Sequence, residues 1–199
     1  MGDTGVTGAR SAPGYERRTV LQAAVGTGLG LLLTTHTQAQ DAEPRNARPQ
    51  AGDHFIIASG ERKGATLTPD DLLPGGPPVT VYPVDPQTRV VRDGSRLNQV
   101  LLIHLDPAGL SAATRAHAPQ GIVAYSAVCT HEGCDVWLWQ GEGKILKCPC
   151  HDSEFDPKDG ARVVTGPAPR RLPTLPLKIV DGVLMAAGGF ASRVGFKQE

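Results

Sequence analysis

Short apolar runs recur along the middle of the chain, each bounded by proline, glycine or aspartate. Four of them are long enough to form a strand, and they are rich in the β-branched and aliphatic residues that favour extended backbone. They begin at Phe55 (FIIAS), Val79 (VTVYPV), Val100 (VLLIHL) and Ile122 (IVAYS). The pattern predicts a domain built mainly of short antiparallel strands, an all-β fold.

Three further signals mark local structure. The dipeptide DG at residues 181–182 stands between the apolar runs LKIV and VLMAA, which is the strongest short-range signal for a β-hairpin. The stretch LSAATRA predicts one short helix, with Ser111 as its N-cap. Trp137 and Trp139 alternate in DVWLWQ as residues on one strand face do, so both are expected to pack.

Residues 1–39 differ from the rest of the chain and indicate an export signal. Arg17 and Arg18 precede an apolar run that ends near Thr35 and is shorter than the roughly 20 residues of a membrane span. The paired arginines resemble the twin-arginine class of bacterial signals. We therefore expect the segment either to be cleaved or to remain as an N-terminal membrane anchor. The protein is then periplasmic, either soluble or anchored to the inner membrane.

A polar, proline-containing stretch follows the apolar run. Residues 40–51 have little to bury and predict a linker, so the folded domain is expected at residues 52–199. The composition limits the classes of partner. Twenty basic and twenty acidic residues cancel, so no overall field favours an anionic membrane surface, and no nucleic-acid partner is expected.

All four cysteines fall in two short groups. Each group contains two cysteines and one histidine: Cys129, His131 and Cys134 in CTHEGC, and Cys148, Cys150 and His151 in CPCHDS. A structural zinc ion would accept two thiolates and two imidazoles, although a zinc finger usually brings a cysteine pair and then a histidine pair. One cysteine and one histidine from each of two loops also suit a two-iron cluster, in which one iron binds two thiolates and the other two imidazoles. A zinc site and a two-iron cluster are thus the two interpretations of these residues.

These two groups, together with GPAP at residues 166–169, resemble the cluster-binding boxes and the proline loop of Rieske iron-sulfur proteins. The resemblance implies one [2Fe-2S] cluster of the Rieske type. It also implies an antiparallel β-sandwich base that carries a small cluster-binding subdomain at about residues 125–171. The ligands that it implies are Cys129 and Cys148 for one iron and His131 and His151 for the other, with a disulfide between Cys134 and Cys150.

The resemblance also assigns residues around the cluster. Ser153 occupies the position whose hydroxyl bonds a bridging sulfide, and Gly166 and Pro167 belong to the proline loop. Phe155 stands where many members of high potential have a tyrosine that bonds a ligand thiolate. We therefore expect a reduction potential in the upper half of the family's span of roughly −150 to +300 mV, but not at its top.

The function implied by the resemblance is one-electron transfer, by a subunit rather than by a complete enzyme. No histidine follows His151, which excludes a catalytic oxygenase subunit with its second iron site. The export signal and the additional cysteine pair distinguish the chain from cytosolic Rieske ferredoxins. Two families remain, the Rieske subunit of quinol-oxidising cytochrome bc complexes and the small subunit of arsenite-oxidase-type molybdenum enzymes. The alternative from another class is a structural zinc module without redox function.

The implied partners are a larger redox subunit, either cytochrome b or a molybdenum enzyme, and a c-type cytochrome. Two residues depart from the family pattern at the tip that carries the histidines, Glu132 in place of an apolar residue and Asp152 in place of glycine. Burying unpaired carboxylates in an apolar quinol pocket would cost several kcal/mol. A basic partner surface is therefore expected to suit this tip better. Arg170 and Arg171 are expected to form a solvated face.

Overall fold

The computed structural model describes residues 43–196. The predicted signal and the start of the predicted linker lie outside the described residues. Within those residues, ten short strands form three antiparallel sheets, which confirms the all-β prediction. None of the helices in the described part is long and apolar enough to cross a membrane.

The first sheet contains the four strands that the apolar runs predict, so these predictions are confirmed. The strands lie in the order β1-β2-β3-β4 and are all antiparallel. They are β1 (His54–Ile57), β2 (Val79–Val84), β3 (Val100–His104) and β4 (Ile122–Ser126).

Strands β3 and β4 are covered on both faces, which explains their unbroken apolar sequences. Successive residues of a strand face opposite sides of the sheet. Accordingly Leu102 of β3 belongs to one hydrophobic core and its neighbour Leu101 to another. The second core also contains Cys129 and Cys148. The first sheet therefore separates the base of the domain from the cysteine-bearing loops.

The predicted hairpin is confirmed. It joins β9 (Leu177–Val180) to β10 (Val183–Ala186). The two turn residues, Asp181 and Gly182, have φ values of 50° and 78°, and this pair of positive angles matches the right-handed twist of the strands. The hairpin packs on the first sheet around the core that contains Leu102, which completes the base.

The third sheet lies in the cysteine-bearing half of the domain. It contains β5 (Leu138–Gln140), β6 (Ile145–Lys147), β7 (Glu154–Asp156) and β8 (Arg162–Thr165), in that order. The strands β6, β7 and β8 each carry charged or polar residues and do not form long apolar runs, so only β5 has a counterpart in the sequence analysis. Trp139 packs against the core as expected, but Trp137 is 59% exposed, so the prediction that both tryptophans pack is wrong for Trp137.

The predicted helix is also present, as α1 (Ala112–Arg115). The Ser111 hydroxyl accepts a hydrogen bond from the Thr114 backbone amide at 3.3 Å, which confirms the N-cap. Residues 43–51, in the predicted linker, contact the domain. The Arg48 guanidinium donates to the Leu97 carbonyl at 3.0 Å, and Pro49 is buried. Hydrogen bonds of this kind cannot be predicted from the pattern of apolar residues.

Candidate metal centre

Two loops and one turn surround the cysteines. Cluster loop 1 (residues 128–135) joins β4 to β5, cluster loop 2 (residues 148–153) joins β6 to β7, and the proline loop (residues 166–170) follows β8. In cluster loop 1 the Cys129 amide donates to the Cys134 carbonyl at 2.8 Å, and the Gly133 amide donates to the Cys129 carbonyl at 3.1 Å. Gly133 has a φ of 77°, which favours glycine, so this loop closes on itself.

Cluster loop 2 is a tight connection in the hairpin formed by β6 and β7. The Cys148 amide donates to the Ser153 carbonyl at 2.9 Å and closes the loop. Asp152 has a φ of 57°, in the left-handed region that glycine and aspartate adopt most easily. This conformation explains why a glycine would suit position 152 and why an aspartate is tolerated there.

A disulfide joins the two loops. Cys134 and Cys150 are bonded, with their Cα atoms 6.5 Å apart, which confirms the predicted pairing. Their sulfurs bond each other and are not available as metal ligands. Cys129 and Cys148 are left as the free cysteines of the described residues.

The two free thiols are buried side by side. Cys129 and Cys148 each expose 1% of their surface, and both belong to the same hydrophobic core. Burial raises the pKa of the Cys129 thiol to about 11, against the opposing effect of the His131 backbone amide. A metal ligand must be a thiolate, and a bound metal cation would offset the loss of hydration that burial imposes on the Cys129 thiolate.

The two predicted histidine ligands meet at the surface end of the loops. His131 Nδ1 lies 3.2 Å from His151 Nδ1, with the two rings edge to face and their centroids 4.7 Å apart. The side chain of His151 is 46% exposed. Its other nitrogen, Nε2, lies 3.7 Å from a carboxylate oxygen of Glu132, whose side chain is 61% exposed. The imidazoles thus form the solvent-facing edge of the site.

The proline loop packs directly on cluster loop 2. Gly166 has a φ of 90°, and a Cβ at this position would lie 2.5 Å from the Cα of Ser153, so the contact requires glycine. The buried Ser153 hydroxyl accepts a hydrogen bond from the Ala168 amide at 3.1 Å, and the Ser153 carbonyl accepts the hydrogen bond of the Cys148 amide. Pro167 is exposed beside this contact. Ser153 therefore links the proline loop to the buried thiols.

Phe155 is fully buried on β7, in the same core as the two free cysteines. Its backbone pairs with Leu146 of β6, the second residue before Cys148. The Phe155 ring and the two free thiols therefore belong to one hydrophobic core. The position is therefore consistent with the role that the family resemblance implies for a residue at 155.

The donor set fits a cluster with mixed ligands. The structure brings together two buried thiols and two imidazole Nδ1 atoms, which is the set of two cysteines and two histidines that one two-iron cluster takes. Other described histidines lie elsewhere. His104 on β3 contacts the Leu72 carbonyl through Nδ1 at 3.2 Å, and His117 lines a separate cavity next to α1.

Two contacts at the site, one made by Thr130 and one made by Lys147, escaped the sequence analysis. The Thr130 hydroxyl donates to the Arg170 carbonyl at 2.5 Å, which ties cluster loop 1 to the proline loop. Lys147 Nζ lies 2.8 Å from a carboxylate oxygen of Asp152. The pairing of β6 with β7 could have indicated the second contact, but nothing in the sequence indicates the first.

Comparisons with known proteins agree with this geometry. The family model of the Rieske [2Fe-2S] domain matches residues 67–176. The chain is similar to the cytochrome bc1 complex Rieske iron-sulfur subunit of Streptomyces lividans, with 42% identity over 98 residues, 48% of this chain and 58% of that protein. It is also similar to the putative respiratory nitrate reductase subunit Rieske of Haloferax mediterranei, with 40% identity over 148 residues, 74% of this chain and 63% of that protein. The matched region spans less than two thirds of each relative.

Among solved structures, the soluble domain of the Rieske protein II from Sulfolobus acidocaldarius has 26% sequence identity to the chain. The match covers 48% of this chain and 66% of that chain, with a TM-score of 0.39. With so low a TM-score, the sequence matches are the informative ones.

Proposed function

Because the chain belongs to the Rieske [2Fe-2S] family, we propose that it is the one-electron-transfer subunit of a respiratory oxidoreductase that works outside the cytoplasm. A Rieske domain carries a [2Fe-2S] cluster, so zinc is not the cofactor of this fold, and the cluster when bound supplies one-electron redox chemistry. The observation that carries the proposal is the asymmetry of the site. Two thiols are buried, whereas the two imidazoles stand at the surface.

The proposed ligands follow this asymmetry. Cys129 and Cys148 would bind one iron as thiolates, and His131 and His151 would bind the other through Nδ1. Two thiolates bring less negative charge than the four of an all-cysteine site, which eases reduction. Burial keeps water from the thiol side, and the exposed imidazole edge is the route by which electrons reach a partner.

The charge at this edge indicates the type of partner. Glu132 is exposed, and so is Asp152, although Asp152 is paired with Lys147. Moving these groups into an apolar quinol pocket would remove them from water without a partner for Glu132, at a cost of several kcal/mol. A basic surface, on a c-type cytochrome or on a larger redox subunit, would gain from the same charges.

Ionic strength tests the proposed docking. We expect the rate of electron transfer to a basic c-type cytochrome to fall by about tenfold between about 0.01 and 0.5 M salt, because salt screens exposed charges. Glu132→Gln should lower the rate at low salt by roughly threefold. Glu142→Gln, in the exposed turn between β5 and β6, is the matched control and should leave the rate unchanged. A rate that does not depend on salt in the unmodified protein contradicts this docking mode.

A second candidate is quinol oxidation within a complex of the cytochrome bc1 type, where the larger partner would be cytochrome b. It is favoured by the similarity to the Streptomyces subunit and by the proline loop at residues 166–170. Reduction of the purified complex by a quinol analogue distinguishes the two candidates. Under the quinol hypothesis the rate is insensitive to salt and is raised by Glu132→Leu, whereas under the first proposal that substitution slows electron transfer to the partner.

The location outside the cytoplasm is supported by two features. The disulfide between Cys134 and Cys150 is typical of oxidising compartments. In the sequence, Arg17 and Arg18 precede the apolar run of a twin-arginine-type signal. Replacing both arginines with lysine should leave the protein in the cytoplasm, as measured by cell fractionation. Unchanged export of that variant would contradict the signal type.

A further inference from the structure

We propose that the C-terminal segment at residues 193–196 is part of the cluster-binding apparatus, and that Arg170 is the positioning residue that connects it to cluster loop 1. The inference concerns residues that no ligand motif includes. It rests on the proposed ligand set, because its effect is exerted on the loop that carries Cys129 and His131.

Arg170 has contacts in two directions. Its guanidinium donates hydrogen bonds to the backbone carbonyls of Arg193, at 2.7 Å, and of Gly195. Its own carbonyl accepts the hydrogen bond of Thr130. Thr130 exposes 1% of its surface and stands between Cys129 and His131 in the chain. One residue of the proline loop therefore connects cluster loop 1 with the C-terminal segment.

The C-terminal segment also lies against cluster loop 1 directly. A Cβ on Gly133 would lie 2.9 Å from the ring of Phe196, so the ring covers the backbone of the loop at this glycine. A Cβ on Gly195 would lie 3.4 Å from Leu97 and 3.7 Å from Val128, at the start of the loop. Val194 is 8% exposed. The segment is thus packed on the loop and not merely adjacent to it.

The contacts with Arg170 and Phe196 add to the few hydrogen bonds within cluster loop 1. Within cluster loop 1, two backbone hydrogen bonds hold the residues from Cys129 to Cys134, and the disulfide joins Cys134 to cluster loop 2. From outside the loop, the Arg170 carbonyl accepts the hydrogen bond of the Thr130 hydroxyl, and the Phe196 ring covers the Gly133 backbone. The expectation that Arg170 and Arg171 form a solvated face is therefore wrong for Arg170. A charged donor shared by two carbonyls forms strong hydrogen bonds, so removing it should loosen the loop.

The test uses the cluster-loaded protein and two matched pairs of variants. Arg170→Ala removes the connection, and Arg171→Ala removes the same charge from the next, exposed residue. Deletion of residues 193–199 removes the C-terminal segment, and deletion of residues 197–199 leaves it in place. We measure three quantities: the rate of cluster loss to a chelator, the amide hydrogen exchange of residues 129–135, and the line width of the EPR signal after reduction.

We expect Arg170→Ala and the longer deletion each to speed cluster loss by about tenfold, the factor that corresponds to losing one hydrogen bond to a charged group. Both should also speed amide exchange in cluster loop 1 and broaden the EPR signal, a readout that a purely structural contact distant from the cluster would not change. Combining the two changes should add little to either alone, because both remove the same contact. The two control variants should behave as the unmodified protein does.

Unchanged cluster loss and unchanged exchange in both Arg170→Ala and the longer deletion would overturn the inference. If Arg170→Ala fails to fold, Arg170→Lys keeps the charge but not the forked donor, and it should lie between the unmodified protein and the longer deletion. An unmodified protein that binds no iron-sulfur cluster would instead overturn the proposed function, so the two failures are distinguishable.

Discussion

Lys147 and Asp152 form a salt bridge across cluster loop 2, with Nζ 2.8 Å from the carboxylate. The Asp152 side chain is 76% exposed, and Lys147 also lies 3.8 Å from a carboxylate oxygen of Glu154. Asp152 takes the left-handed backbone conformation directly after His151. The carboxylate that departs from the family pattern is thus paired with Lys147, the last residue of β6 before this loop.

Asp152 forms a salt bridge with Lys147 and adopts a left-handed backbone conformation, and substitutions can separate these two roles. Asp152→Asn keeps a residue that tolerates positive φ and loses only an exposed salt bridge, so the free energy of unfolding should fall by less than about 1 kcal/mol. Asp152→Val adds backbone strain of about 1–3 kcal/mol. Thermal unfolding of the cluster-loaded variants measures both effects. Equal stability of the two variants would contradict the backbone conformation described for position 152.

The disulfide should protect its cysteines from modification. In exported protein, Cys134 and Cys150 should resist alkylation, since their bond closes a loop of about 15 residues and stabilises the fold by roughly 3 kcal/mol. Cys134→Ser should release the cluster faster than the unmodified protein does. Mass mapping after alkylation in denaturant checks the pairing, and free thiols at both positions in air-purified protein would contradict it.

Phe155 is expected to keep the reduction potential below the top of the family's span. Phe155→Tyr adds a hydroxyl that can donate to a ligand thiolate, and this bond strengthens as reduction makes the cluster more negative. A difference of about 1 kcal/mol for one such bond corresponds to a rise of roughly 40 mV in a one-electron couple. Protein-film voltammetry measures the change, and Phe190→Tyr, at a partly buried residue that packs against the core of the base, is a control that should leave the potential unchanged. A lower or unchanged potential in Phe155→Tyr with an intact cluster would show that the ring does not face the thiolate.

Ser153 should act in the opposite direction. Ser153→Ala removes the buried hydroxyl that, by the family resemblance, bonds a bridging sulfide of the cluster, and the potential should fall by roughly 40 mV, the equivalent of one hydrogen bond. Ser126→Ala removes another buried hydroxyl, which accepts a bond from the Val128 amide, and should leave the potential unchanged. If both serine variants shift the potential equally, the effect belongs to burial and not to the Ser153 bond.

The sequence indicated the base of the domain because its signals are local. The four apolar runs and the turn at Asp181 each specify structure within a few residues, and the structure contains all of them. The disulfide was indicated by family resemblance and not by spacing. The strands of the third sheet were missed, apart from β5, because ILK, EFD and RVVT are short and mix apolar with charged or polar residues.

The contacts around the site escaped sequence analysis for a different reason. Arg170 reaches residues that lie about 25 positions later in the chain, and Thr130 reaches a carbonyl 40 positions later. Arginine pairs and threonines are common on solvated surfaces, so these residue types alone do not predict the contacts. Only the fold brings the proline loop between cluster loop 1 and the C-terminal segment.

The central claim is that His131 and His151 bind the [2Fe-2S] cluster through Nδ1 while Cys129 and Cys148 bind its buried side. Pulsed EPR on reduced protein that carries histidine labelled with ¹⁵N at Nδ1 tests it most directly. Two strongly coupled nitrogens are expected in the unmodified protein, and His104→Ala should retain both. A colourless protein containing zinc, or a cluster without strongly coupled labelled nitrogen, would contradict the claim.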